Sequence, residues 1–165
     1  MSAGRYEGTL REIIHAFKYE GRRSLADPLG EFIRAAGSAM LQGCDCVVPV
    51  PLHPWRRMRR GFNQARDLAT HLDRPLVNAL WRVRATPPQM ALNANARHSN
   101  VRGAFVVSPF TGGGRLSSVR FPSLEDRLVV LVDDVRTTGA TLDECAKVLL
   151  VAGAREVKAL TVALA

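Results

Sequence analysis

Late in the chain two adjacent carboxylates are followed at once by a run of hydroxyls and small residues, Asp133-Asp134-Val135-Arg136-Thr137-Thr138-Gly139-Ala140-Thr141. Neighbouring carboxylates can accept hydrogen bonds from the vicinal hydroxyls of a sugar; the same pair also suits a metal ion or a phosphoacceptor. The residues after them offer successive backbone N–H groups and three hydroxyls where a helix is about to start. The positive end of that helix dipole favours an anion. Glycine at 139 lets the backbone approach such an anion closely, although threonine and glycine at a helix start also serve as plain caps. A diol beside a phosphate is what a ribose 5-phosphate presents.

These side chains need a strand to deliver them and a helix to meet the anion. Leu128-Val-Val-Leu-Val132 is apolar and β-branched and reads as a buried strand, residues 133 to 141 as a polar loop. Leu142, Cys145, Ala146 and Leu149 mark a helix ended by Gly153, and residues 157 to 163 return as a strand. Strand, loop, helix and strand in that order form a parallel crossover. The predicted fold is therefore α/β, an open, mainly parallel twisted sheet with helices on both faces, whose ligands sit beyond the carboxyl ends of strands. Upstream, Leu10, Ile13, Ile14 and Phe17 predict a helix over residues 7 to 20, ended by Gly21. A second helix is capped by Ser24 and buries Leu25, Leu29, Phe32, Ile33 and Ala36. Residues 46 to 50 read as a strand stopping at Pro51, and a third helix runs from Asn63, its N-cap, to Leu72. Alternation at residues 81 to 84 and 104 to 107 suggests a two-stranded excursion over residues 80 to 107. Residues 108 to 127, with Gly112-Gly-Gly114, read as a loop.

A chain of 165 residues, 47% hydrophobic and 23% charged, fits one domain over residues 1 to 165. No apolar run approaches the ~20 residues of a membrane helix, and no secretory signal opens the chain, so no membrane insertion and a cytoplasmic location are expected. Three cysteines make no even disulfide framework and lack Cys-x-x-Cys pairs, so no zinc site is expected either. The net charge of +8 is concentrated: residues 55 to 102 hold ten arginines against Asp67 and Asp73. Guanidinium grips phosphate bidentately, so this segment implies a polyanion, either a nucleic-acid backbone or a small phosphorylated ligand. Arg56, Arg57, Arg59 and Arg60 fit phosphate, DNA or a solvated helix face. Trp55 beside them reads as a core anchor before a base-stacking platform, and His53 is the best placed of the four histidines.

The segment Val130-Leu-Val-Asp-Asp-Val-Arg-Thr-Thr-Gly-Ala-Thr141 resembles the phosphoribosyl pyrophosphate (PRPP) motif of type I phosphoribosyltransferases. Phe17-Lys-Tyr-Glu-Gly21, Val48-Pro-Val-Pro-Leu-His53, Arg60-Gly-Phe-Asn-Gln64 and Arg97-His-Ser-Asn-Val-Arg-Gly-Ala-Phe105 are similar, in the same order, to the competence-associated ComF family. The resemblance implies the type I fold, with the excursion at 80 to 107 as a flexible hood. It implies that Asp133 and Asp134 hold the ribose hydroxyls and that Thr137, Thr138, Gly139, Ala140 and Thr141 hold the 5-phosphate. Pro51, Leu52 and His53 would form the pyrophosphate loop, and Arg97 would act from a flexible loop closing over it. Mg²⁺ would enter with PRPP, with Asp133 and Asp134 as its candidate protein ligands, and a nucleobase-like acceptor would displace pyrophosphate. Many relatives pair near the hood, so a homodimer is implied. The link to competence carries the alternative, a PRPP- or nucleotide-sensing accessory protein that meets single-stranded DNA. Family members commonly begin with a four-cysteine zinc-binding segment, which nothing in this sequence matches.

Overall fold

In the computed structural model, which describes residues 1–84, 101–108 and 123–165, four parallel strands form the main sheet. They are β1 (Ser2–Arg5), β2 (Cys46–Pro49), β5 (Leu128–Arg136) and β6 (Glu156–Leu164), in the spatial order β1-β6-β5-β2. Val47 extends the sheet past β2 by a parallel bridge to Leu76. A separate antiparallel pair, β3 (Leu80–Arg82) and β4 (Phe105–Val107), is the described part of the predicted excursion.

The period-2 alternation of a strand explains why helices must cover both faces. Val130 and Val132 of β5 join Val47, Leu160 and Val162 on one side, packed under α1 (Gly8–Tyr19), α2 (Ala26–Ala36) and α5 (Gln64–Ala69) through Ile14, Phe17, Ile33 and Leu68. Val129 and Leu131 point the other way, with Cys46 and Val48, onto Leu142, Cys145 and Leu149 of α6 (Ala140–Val151) and onto Phe105 of β4. Two short helices, α3 (Ser38–Gln42) and α4 (Pro54–Arg60), complete the described set.

Several expectations need correction. Ser24 makes no cap: a turn of 3-10 helix over Arg23–Leu25 leads straight into α2, and no side chain caps either start. Phe32 is exposed, because it lies on the outer side of the stripe that Leu29 and Ile33 bury. Trp55 is not a core anchor but 72% exposed on α4. β5 runs four residues further than its apolar stretch, so Asp133 and Asp134 belong to the end of the strand rather than to a loop. Ser2–Arg5 carries no strand signature, yet it pairs along β6, where Ser2 Oγ meets the buried Thr161 Oγ1 at 2.7 Å.

Candidate functional site

The carboxyl ends of all four parallel strands converge on a cavity of about 620 Å³. Tyr6 follows β1 into it, Val50, Pro51 and Leu52 follow β2, Ala165 follows β6, and β5 contributes Asp133 and Asp134. In-register pairing sets this floor: Val132 is opposite Pro49 and Leu160, where β2 leaves the sheet while β5 and β6 stay paired as far as Arg136 and Leu164. Val50 N donates to Val132 O at 2.9 Å as the last tie between β2 and β5.

Beyond β5 the chain turns through Thr137 and Thr138 to Gly139, whose φ of +85° is left-handed and suits glycine alone at little cost. Gly139 is the N-cap residue of α6, so the first turn of that helix starts at the same space. Thr137, Gly139, Ala140 and Thr141 all line the cavity. Thr138 does not; its Oγ1 accepts from Ala140 N at 3.4 Å and so helps to shape the turn.

The two carboxylates are held differently. Asp134 N donates to Asp133 Oδ1 at 2.9 Å, and Val135 N donates to Asp134 Oδ1. Lys18, from the last turn of α1, places its Nζ 2.8 Å from that same Asp134 oxygen. Burial pulls the Lys18 ammonium down, but Asp134, and Asp133 behind it, more than offset this and hold it above its ordinary range. Burial and the charge of Asp134 push the Asp133 carboxyl up to about 7, against the opposing pull of the Asp134 N–H, Lys18 and Arg82.

Besides Arg136 at the end of β5, three guanidiniums complete the wall. Arg56 and Arg60 come from α4, four residues apart and so on one face, and Arg82 comes from β3. Burial and Arg60 lower Arg56, while burial and Arg56 lower Arg82. Cations that press on one another in a cavity store repulsion that an anion relieves. Arg60 is steered by Gln64 Oε1 at 3.1 Å and lies 5.0 Å over the Tyr19 ring. α4 itself is aimed by Pro54 at its first turn and by His53, whose Nδ1 accepts from Trp55 N at 3.3 Å. His53 is thus a cap and is not part of the cavity lining, whereas Pro51 and Leu52 are.

Arg97 lies outside the described residues, as do Gly112-Gly-Gly114 and most of the predicted closing loop. Lys18 and Arg82 were not singled out by the sequence. A lysine ending a helix reads as a dipole complement, and an arginine in an alternating strand reads as its solvent face. Lys18 does stand in the block Phe17-Lys-Tyr-Glu-Gly21, which was the available signal. Among the described residues no group of three or more His, Cys, Asp or Glu stands together as a metal cage. Asp133 and Asp134 alone, one oxygen of which already carries an ammonium, do not fit a protein-held Mg²⁺.

A phosphoribosyl transferase domain matches residues 58–165. Competence protein F of Haemophilus influenzae is 36% identical over 165 residues, an alignment covering 94% of this chain and 68% of that protein. The chain belongs to the ComF family of phosphoribosyltransferase-like proteins. DNA utilization protein YhgH of Escherichia coli is 36% identical over 163 residues, covering 93% of the chain and 66% of the relative. Competence protein ComFC of Bacillus subtilis is 30% identical over 149 residues, 90% of the chain and 56% of the relative. The chain thus spans about two thirds of the length of the first two ComF relatives. The ComF resemblance and the open parallel α/β fold read from the sequence both stand. No helix among the described residues is long and apolar enough to cross a membrane.

Proposed function

We propose that this chain binds PRPP as its magnesium complex and transfers ribose 5-phosphate to a nucleobase-like acceptor, releasing pyrophosphate. The observation that carries this reading is the cavity's mixed charge: two carboxylates, with Lys18 on one of them, and a helix start share it with Arg56, Arg60 and Arg82. Asp133 and Asp134 accept the ribose hydroxyls, residues 137 to 141 take the 5-phosphate, and the segment at Pro51 and Leu52 takes the pyrophosphate. The C1–O bond to pyrophosphate breaks as the ribose becomes cation-like, and a ring nitrogen of the acceptor attacks C1. Magnesium, carried on the phosphates, shields part of the leaving group's charge. The guanidiniums neutralise what develops on departure, which makes catalysis mainly electrostatic. Removing one such donor, by Arg56→Ala or Arg60→Ala, is expected to lower turnover by roughly 10²–10³-fold.

The test is pyrophosphate release from Mg²⁺-PRPP with a panel of purine and pyrimidine bases, with Asp133→Asn as the blank. Base-dependent release absent from the blank supports transfer. No release and no binding of PRPP overturns it.

A second reading, in DNA handling, is favoured by α4 alone. Trp55 and Met58 stand 72% and 81% exposed on that helix beside the exposed Arg57, an aromatic and a cation offered to solvent together. The names of the relatives, competence and DNA utilization, accord with it. Single-stranded DNA held this way loses affinity with salt at a log–log slope of about −0.7 per phosphate contact, and Trp55→Ala weakens binding. A flat salt response and an indifferent Trp55→Ala variant would exclude it.

A further inference from the structure

Asp133 and Asp134 each have Oδ1 fixed by the N–H of the following residue, and Asp134 Oδ1 also carries the Lys18 ammonium at 2.8 Å. These ties all fall on Oδ1, which leaves the second oxygen of each carboxylate to accept a hydroxyl. Both partners of the ion pair are largely buried, with side chains 14% and 13% exposed, where screening by solvent is weak. Apolar side chains dock the helix that carries Lys18. Ile14 and Phe17 are fully buried against the sheet, and Phe17 packs on Phe62 with ring centroids 5.4 Å apart. Docking of Phe17 carries the next residue over the carboxyl end of the sheet, onto the acidic pair.

A Mg²⁺ ion binds oxygens at about 2.0–2.1 Å in near-octahedral order and usually takes one or two carboxylates together with phosphates. An ammonium on Asp134 occupies one of its two oxygens and repels a doubly charged neighbour at the other. We propose that Lys18 is the resident cation of the acidic pair. It stands where a divalent ion would otherwise sit, so that Asp133 and Asp134 receive sugar hydroxyls and not a metal. Lys18 is then a positioning residue, and any magnesium the site uses arrives on the phosphates of the substrate. This last consequence rests on the proposed PRPP reading; the cation's place on the carboxylates does not.

The experiment is a Mn²⁺ titration of the ligand-free chain, read by the EPR signal of free Mn²⁺, on wild type, Asp134→Asn, Lys18→Met, Lys18→Arg and the Lys18→Met/Asp134→Asn double variant. Wild type and Lys18→Arg are expected to show no saturable binding that depends on Asp134. Lys18→Met is expected to gain one saturable Mn²⁺ site, roughly tenfold or more above any residual binding by wild type, because the like charge is gone. Adding Asp134→Asn removes the gained site. A lysine that merely braced α1 would leave Mn²⁺ binding unmoved on substitution. Wild-type binding that Asp134→Asn abolishes overturns the proposal, as does a folded Lys18→Met that gains nothing. Should Lys18→Met not fold, wild type against Asp134→Asn still decides. No arm contains PRPP, so a chain that fails to bind PRPP sinks the proposed function while this titration keeps its own answer.

Discussion

Asp133 is the residue on which stability and binding pull in opposite directions. Its carboxyl is held near 7 in the fold against 3.8 for the free side chain, so between these values the native state binds more protons than the unfolded chain. The contribution of Asp133 to stability is therefore fullest below about pH 4, falls as pH rises towards 7, and levels off above it. Asp133→Asn removes the buried charge. It should raise stability at pH 8 by on the order of 1 kcal/mol, or ~2–4 °C in Tm, and flatten the decline between pH 4 and 7, all readable by circular dichroism. The same variant loses an acceptor for a ribose hydroxyl, so it should gain heat stability and lose protection by PRPP together. An Asp133→Asn variant less stable than wild type at pH 8 would mean that the ionised carboxylate is not a burden. Gly139 shows the opposite case. At φ +85° an alanine is strained by ~1–2 kcal/mol, and its methyl comes 3.6 Å from Arg136 Nε at the mouth of the anion-facing turn. Gly139→Ala should lower Tm by a few degrees and weaken the binding of ribose 5-phosphate more than that of inorganic pyrophosphate.

At the scale of elements, the short helices α4 and α5 are set by their caps more than by their length. Asn63 accepts from Ala65 N at 3.1 Å and donates from Nδ2 to Val50 O at 3.1 Å, pinning the start of α5 to the end of β2. Asn63→Ala should cost about 0.5–2 kcal/mol for the cap and leave the Val50 carbonyl short of a partner, lowering the urea midpoint with an unchanged m-value. Loss of the midpoint without loss of pyrophosphate binding would show that the tie does not also aim α4. Elements of this kind explain what could be read from the chain alone. The strand at residues 128 to 132, the helix beyond Gly139 and the cap at Asn63 are local signals of hydrophobic period and turn chemistry. The strand at residues 2 to 5 is not, since Ser-Ala-Gly-Arg becomes β only because β6 offers it an edge. Lys18 is likewise invisible locally. Its partner is 116 positions away in sequence, and only the packing of Phe17 against the sheet brings the two together. Trp55 misled for a related reason: seven residues of α4 cannot bury every face, and the inner one is taken by Arg56 and Arg60.

Across the whole molecule, the segment that carries the net charge folds so that part of it faces the acidic pair across one cavity. Arg56, Arg60 and Arg82 all come from residues 55 to 102, whereas Asp133, Asp134 and the start of α6 come from the final forty residues. A ligand that is neutral in its middle and anionic at both ends satisfies that arrangement, and its two ends engage different walls. Ribose 5-phosphate should therefore bind the turn at residues 137 to 141, and magnesium pyrophosphate the arginines, each protecting the chain from heat without the other. Arg60→Ala should abolish the second effect and spare the first. At a free concentration near 100 times its Kd, PRPP should add about 2.7 kcal/mol of stability, which for a chain of this size is several degrees in Tm. Protection that depends on pyrophosphate alone, with ribose 5-phosphate inert, would remove the sugar from the site and leave a general polyanion pocket. That outcome would turn the exposed Trp55 face of α4 from a second reading into the first.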